Sequence, residues 1–358
     1  MRVPGPFRLQ AQRGYHDLNK IPARMHFFGF CPANMMNLPE LPAINAAADV
    51  IYQFMQPSPQ LCWPLLSEQL GARVWVKHEN VNPTGAFKVR GGIYYLSQLA
   101  ELHPETRGVI AATRGNHGQS IAYAAAQFGI TAVIVVPFGN SESKNRAMQS
   151  LGAELIEYGG DFNEALDHAR QLALARNLHM IPSFAPELVA GVATYGLELL
   201  QKVPLKRLYV PIGLGSGICG MAAARNALGL NTELIGVVSD QANAYQLSFN
   251  AKKPVSTNTA NTMADGLAVR IPDHSALQVI LDNVSRIVSV SDVEVQRAIQ
   301  LIFQHTHHIA EGAGAAALAA LVQEQRHNQG DDVGVVLTGA NIDQSLFIQS
   351  LHAAEAAA

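Results

Sequence analysis

Charge is the scarcest commodity in this sequence: Asp, Glu, Lys and Arg make up 15% of its 358 residues, against about a quarter in an ordinary soluble chain. With 48% hydrophobic residues, that deficit excludes a mainly disordered chain and implies extensive buried surface, in a large core or at a subunit interface. The net charge is −3 and no block of Lys and Arg occurs. The electrostatic footprint of a nucleic-acid or anionic-membrane binder is therefore missing, and a small molecule is the expected partner. Cysteine is also scarce. Cys31, Cys62 and Cys219 are odd in number and lack CxxC spacing, which argues against a disulfide framework or a structural zinc site and fits a reducing cytoplasm. The first twenty residues carry basic side chains but no continuous apolar stretch, so a secretory signal is not indicated. The longest apolar run, residues 121–138, is divided by Gly129 and Pro137 into an Ala-rich helix and a β-branched strand, a buried α/β unit and not a membrane span.

Residues 1 to about 45 are rich in Pro, Asn and Met without helical or strand period, and read as an extended arm over the body or a neighbouring subunit. Beyond them the pattern is regular. Short apolar strands are predicted at 73–78, 108–112, 131–137, 154–157, 208–212, 234–238 and 333–337. Most are separated by helical stretches such as 87–99, 117–128, 142–150 and 161–175. This alternation implies parallel sheets covered on both faces. A late helix opens at Ser291 with Glu294 at capping-box spacing, and Val295, Ala298, Ile299, Ile302 and Phe303 follow on one face.

Four segments have the composition of a site. Gly215, Gly217 and Gly220 form GxGxxG between a predicted strand and an Ala-rich helix, with Asp240 twenty residues past Gly220, the spacing of a dinucleotide-binding turn. Any Gly-rich strand-to-helix turn offers free N–H groups to an anion, so the segment indicates phosphate more firmly than nicotinamide; a tight packing turn is the alternative. In NPTGAFKVRGG, Lys88 lies near a helix start among Ala86, Phe87 and Val89, an apolar setting that favours the neutral amine needed for a Schiff base or proton abstraction. TRGNHGQ, residues 113–119, again joins strand to helix, and its N–H groups, with Asn116 and His117, suit a carboxylate or phosphate. TGAN, residues 338–341, sets the Thr338 hydroxyl at the carboxyl end of a strand, where α/β folds hold ligands. His305, His307 and His308 do not share a helical face, so no metal site is assigned. Glu311, beside Gly312 and Gly314, is a carboxylate at a turn that can face a pocket.

The lysine, the GNH loop, the Gly-rich turn and the hydroxyl-Gly-x-Asn segment, in this order, resemble the fold-type II pyridoxal-phosphate enzymes of the serine/threonine dehydratase and serine racemase family, over roughly residues 50–350. The resemblance implies an α/β, tryptophan-synthase-β-like fold. It has a large cofactor-binding domain (46–97 and 191–358), a small domain (98–190) and pyridoxal 5'-phosphate between them. By the same resemblance Lys88 holds the cofactor as a Schiff base and Phe87 packs beside its ring. Asn116 bonds the ring hydroxyl, Gly213, Leu214, Gly215, Ser216 and Gly217 form the phosphate loop, and Thr338 faces the pyridine nitrogen. Thr113, Arg114, Gly115 and His117 match the loop for the substrate α-carboxylate; Glu311 and Gly266 are further site candidates. The implied reaction is β-elimination of water from a β-hydroxy-α-amino acid such as threonine or serine, in a cytoplasmic homodimer. The alternatives are a threonine-synthase-like replacement enzyme, a racemase or, in another class, a nicotinamide oxidoreductase.

Three positions depart from the family pattern. Serine racemases carry a serine where this chain has Arg114, and a guanidinium stays protonated, which argues against racemisation by that route. The usual serine before Phe-Lys is Ala86, and the two positions together are expected to decide substrate choice. The glutamate that binds a divalent metal in metal-activated members is not evident, only Asp265 of ADG survives nearby, and metal dependence is not expected. The chain ends about 20 residues after TGAN, so a regulatory domain with isoleucine feedback is not expected, and a catabolic role is.

Overall fold

Short β-branched runs alternate with helices rich in Ala and Leu, and the backbone satisfies its hydrogen bonds in two sheets. The structure, a computed structural model, describes residues 36–352. In chain order these are α1 (Leu41–Ile51), β1 (Gln60–Cys62), α2 (Pro64–Leu70), β2 (Arg73–His78), α3 (Lys88–Leu102), β3 (Gly108–Ala112), α4 (Asn116–Phe128) and β4 (Thr131–Val136). Then come α5 (Glu142–Ser150), β5 (Glu154–Glu157), α6 (Phe162–Ala175), β6 (His179–Met180), α7 (Pro186–Leu200), β7 (Arg207–Pro211), α8 (Ser216–Ala227) and β8 (Glu233–Ser239). The chain closes with α9 (Ala244–Ala251), α10 (His274–Asn283), β9 (Arg286–Val290), α11 (Asp292–Thr306), α12 (Gly312–Gln323), β10 (Asp332–Leu337) and α13 (Gln344–His352). Most of the expected arm, residues 1–35, lies outside the described residues. Its last part is corrected: residues 41–45 begin α1, which starts on Pro42 and buries Ile44, Ala47, Ala48 and Ile51.

One sheet has the order β1-β2-β10-β7-β8-β9, the other β5-β4-β3-β6. Every pairing is parallel except β1 with β2. All five residues of β3 are buried, as a central parallel strand with helices on both faces requires. Helix α7 is buried from Leu188 to Leu200 and packs against α1, α3 and α8. The capping box of α11 forms as expected: Ser291 Oγ accepts from Glu294 N, and Glu294 Oε2 accepts from Ser291 N at 2.7 Å. Phe303 departs from the expected buried face; it is 39% exposed and meets Phe347 edge-on at 5.7 Å.

A buried ionic cluster ties α3 to β2 and α7. Arg90 bridges Glu79 (2.7 Å) and Glu198 (2.6 Å), Lys77 pairs with Glu198, and none of the four side chains is more than 6% exposed. Tyr52, Ser58, Asn82 and Thr194 complete the hydrogen bonding. Burial this deep is tolerated because two cations face two anions with their lone pairs satisfied. It fixes the first turn of α3, the turn that carries Lys88.

Candidate functional site

The segments singled out in the sequence all leave the carboxyl ends of parallel strands, where an α/β sheet opens a crevice. After β2 the chain turns at Gly85, whose φ of +67° suits glycine. It then pairs with the segment after β10: Phe87 N–H donates to Thr338 O at 3.0 Å and Ala340 N–H to Gly85 O at 2.9 Å. Thr338 is thereby tied directly to the residue before Lys88. The Lys88 amine lies 4.8 Å from the centroid of the Phe87 ring. Burial lowers its pKa to about 8, against an opposing pull from Glu311, so a usable fraction is neutral near physiological pH.

After β3, Thr113 Oγ1 accepts from the N–H groups of Gly115 (3.0 Å) and Gly118 (3.3 Å), which folds the loop back on itself at the start of α4. Asn116 is oriented from both ends: its Nδ2 donates to Glu311 Oε1 at 2.6 Å, and its Oδ1 accepts from Asn341 at 2.8 Å. One N–H of its amide is left to donate elsewhere. Burial, followed by the charge of Lys88, pushes His117 down to about 3, so this ring is neutral, and its buried Nε2 has no partner. Burial raises the Glu311 pKa from its ordinary value, against the opposing pull of Lys144 and Asn116.

The Gly-rich turn runs from β7 into α8. A Cβ on Gly213 would lie 2.2 Å from Gly266 O, and Gly215, at φ +115°, would bring one to 2.6 Å from Ala276 Cβ. Only glycine fits either place. Tyr245 clamps the turn, its hydroxyl donating to Leu214 O at 2.7 Å and accepting from Asp273 N at 3.0 Å. The first N–H groups of α8 have no acceptor within the helix and present a positive end to an anion. A Cβ on Gly217 would come 3.7 Å from the tip of Phe87, so the turn and the lysine segment adjoin.

A cavity of about 430 Å³ lies among these segments. Lys88, Leu214, Gly266, Glu311 and residues 113–117 line it; Phe87, Gly213, Gly215, Ser216, Gly217 and Thr338 do not. Ala86 is fully buried against Gly339 and also does not line it, so that expected site of substrate choice lies behind the wall. Asp240, the supposed ribose partner, is exposed and away from the cavity. His307 ends α11 in the left-handed conformation, while the His308 ring packs 4.4 Å from His78. Among the described residues no group of three or more His, Cys, Asp or Glu is placed to hold a metal ion. Sequence reasoning missed Lys144, which reaches the cavity from the first turn of α5 and donates to Asp265 Oδ2 at 3.0 Å.

The donor set suits an aldehyde cofactor bearing a phosphate: a lysine of lowered pKa, a turn in which Gly213 and Gly215 admit no Cβ, and an oriented amide. The family described as pyridoxal-phosphate dependent enzymes matches residues 51–339. The chain belongs to this family. Pyridoxal phosphate is accordingly its cofactor. It is 33% identical over 297 residues to the biosynthetic L-threonine dehydratase of Pasteurella multocida, covering 82% of this chain and 58% of that one. It is 31% identical over 314 residues to the L-threo-3-hydroxyaspartate ammonia-lyase of Saccharomyces cerevisiae (87% and 96%). Among solved structures, the processed threonine deaminase isoform 2 of Solanum lycopersicum superposes with a TM-score of 0.81 at 26% identity, covering 91% and 98% of the two chains. These likenesses agree with the expected fold-type II α/β architecture.

Proposed function

We propose that the protein is a pyridoxal-phosphate-dependent lyase that eliminates water from a β-hydroxy-α-amino acid, threonine or serine being the simplest, to give a 2-oxo acid and ammonia. The observation that carries this reading is the Lys88 amine, held near pH 8 in a cavity between an anion-binding glycine turn and the 113–117 loop. Bound there, the cofactor acts as an electron sink for the substrate Cα. The chain's own residues do the rest. Gly213, Leu214, Gly215, Ser216 and Gly217 would hold the phosphate through N–H groups at the start of α8, and Phe87 would pack beside the ring. Asn116, fixed by Glu311 and Asn341, would bond the ring hydroxyl, and Thr338 would face the pyridine nitrogen. A neutral threonine there stabilises a charged ring less than a carboxylate does, which favours elimination over transamination. The backbone of the loop Thr113, Arg114, Gly115 and His117 would receive the α-carboxylate. Lys88, in its neutral form, would take the Cα proton, the β-hydroxyl would leave as water with a proton from a neighbouring acid, and the released enamine would take up water to give the 2-oxo acid and ammonia.

Arg114 occupies the place from which a racemase returns a proton, and as a permanent cation it cannot do so. We further place residues 46–97 and 191–358 in a large cofactor-binding domain and 98–190 in a small one, supported by the distribution of the two sheets between those ranges. Scarce cysteine and low charge support a cytoplasmic homodimer. The test is release of 2-oxo acid and ammonia in equal amounts from L-threonine or L-serine, abolished in Lys88→Ala. Amino acid turned over without ammonia release would contradict the lyase reading.

A further inference from the structure

The wall of the cavity built by the 113–117 loop and α5 holds two cations, of which only one is closely paired. Arg114 lines the cavity with its side chain 48% exposed and makes no hydrogen bond among the described residues. Its nearest countercharge is Asp265, 4.0 Å away, too far for a hydrogen bond. Asp265 is already taken by Lys144, at 3.0 Å. The lysine is 7% exposed, and its stem crosses so close beneath Gly115 that a Cβ there would lie 2.8 Å from Lys144 Cδ. Lys144 has Asp265, Glu311 and Asp343 around it, whereas Arg114 has only the distant edge of Asp265. Glu311, buried in the same wall, also attracts Lys144. Arg270, a third cation on the cavity, is occupied by Asp161 at 3.5 Å.

The cofactor does not account for Arg114. Its phosphate is served by the turn from β7 into α8, which belongs to the other sheet, and no Lys or Arg occurs in Gly213–Gly217. The α-carboxylate would take the backbone N–H groups that Thr113 leaves free at the start of α4. What is left is a guanidinium that lines the cavity with its donor fork unused. A planar fork of this kind matches a carboxylate in two parallel hydrogen bonds, which an ammonium cannot reproduce.

We propose that Arg114, backed by Lys144, is a subsite for a second carboxylate, so that the preferred substrates are β-hydroxy-α-amino dicarboxylic acids such as 3-hydroxyaspartate. The inference rests on the dehydratase reading above. Lys144 acts by holding Asp265 away from full pairing with Arg114 and by adding its own charge; Arg114 makes the contact. Reaction balance is unchanged from simple dehydration, with the second carboxylate a spectator that anchors Cβ.

Two measurements on the holoenzyme test this. In the first, kcat/KM is compared for 3-hydroxyaspartate and L-threonine. In Arg114→Ala the ratio of the two falls about 10- to 100-fold, the range for losing a charge-assisted bidentate contact, while Arg114→Lys restores only part of it. Lys144→Met lowers the ratio less. In the second, calorimetric titration compares succinate with butyrate, acids of equal length that undergo no elimination. Wild-type protein binds succinate at least about tenfold tighter, and Arg114→Ala erases the difference. Equal loss for both amino acids in Arg114→Ala, or equal binding of succinate and butyrate, overturns the subsite. Absence of 2-oxo acid from any β-hydroxy amino acid, with the succinate preference intact, removes the dehydratase reading and leaves the dicarboxylate subsite standing.

Discussion

Replacing Arg90 by methionine removes the guanidinium that holds Glu79 and Glu198 against the helix of Lys88. In the native chain Arg90 donates to Glu79 Oε2 at 2.7 Å, to Glu198 Oε1 at 2.6 Å and to Thr194 Oγ1 at 3.0 Å, with its side chain fully buried. Methionine fills much of the volume, so the loss is electrostatic. Lys77 still faces Glu198, but Glu79 keeps only the donors Ser58 and Asn82 against an uncompensated buried charge. Breaking a buried pair on one side costs about 3–5 kcal/mol. For a chain of this length each kcal/mol is worth about 1.3 °C in Tm, so calorimetry of the cofactor-free protein should show a fall of about 4–7 °C. Pyridoxal phosphate uptake should weaken with it, since Lys88 stands two residues before Arg90 on α3. Neutralising the stranded acid in Arg90→Met/Glu79→Gln should recover at least about 1 kcal/mol, because contacting residues are not additive. The reasoning is refuted if Arg90→Met stays within about 1 kcal/mol of wild type, or if the double variant loses the sum of the two single losses.

Cofactor capture should depend on pH through Lys88. The neutral amine attacks the aldehyde and is populated above the pKa, so the rate of uptake, followed by visible absorbance, rises about tenfold per pH unit below 7 and levels off above about 8. A rise continuing to pH 10 would place the lysine at its ordinary value. Tyr245→Phe strands Leu214 O and Asp273 N, and should destabilise the protein by about 1–3 kcal/mol while raising the Kd for pyridoxal phosphate; an unchanged Kd by titration would show that the clamp does not shape the turn. Ser291→Ala removes the cap of α11, and denaturant unfolding should register about 0.5–2 kcal/mol, with kcat/KM as in wild type.

The parts of the fold legible in the sequence were those with local contrast. GVIAA stands out between polar flanks and becomes β3 with the same bounds, and Ser291 with Glu294 announces α11. The site loops were legible because each combines glycine, a strand before it and a helix after it. Helices α7 and α12 had no contrast: nearly every residue in them is buried, so no polar stripe marks a period. The two-residue β6 is too short to read, and β1 is held by pairing with β2 more than by its own composition. Lys144 was hidden for the opposite reason. ESKNRAMQS reads as a solvated helix, and only the tertiary path across Gly115 buries its lysine. Arg90 was visible beside Lys88, but its partner Glu198 lies 108 residues further on. Ala86 was expected at the substrate and stands behind the cavity wall, because the pairing of 85–87 with 338–340 turns it toward Gly339.

The central claim is that Lys88 carries the cofactor. Purified holoenzyme reduced with sodium borohydride, digested and analysed by mass spectrometry should yield the peptide containing Lys88 with a phosphopyridoxyl group fixed to its side chain, and the label should vanish in Lys88→Ala. A label on Lys144 or on another lysine, with the Lys88 peptide unmodified, would contradict the account.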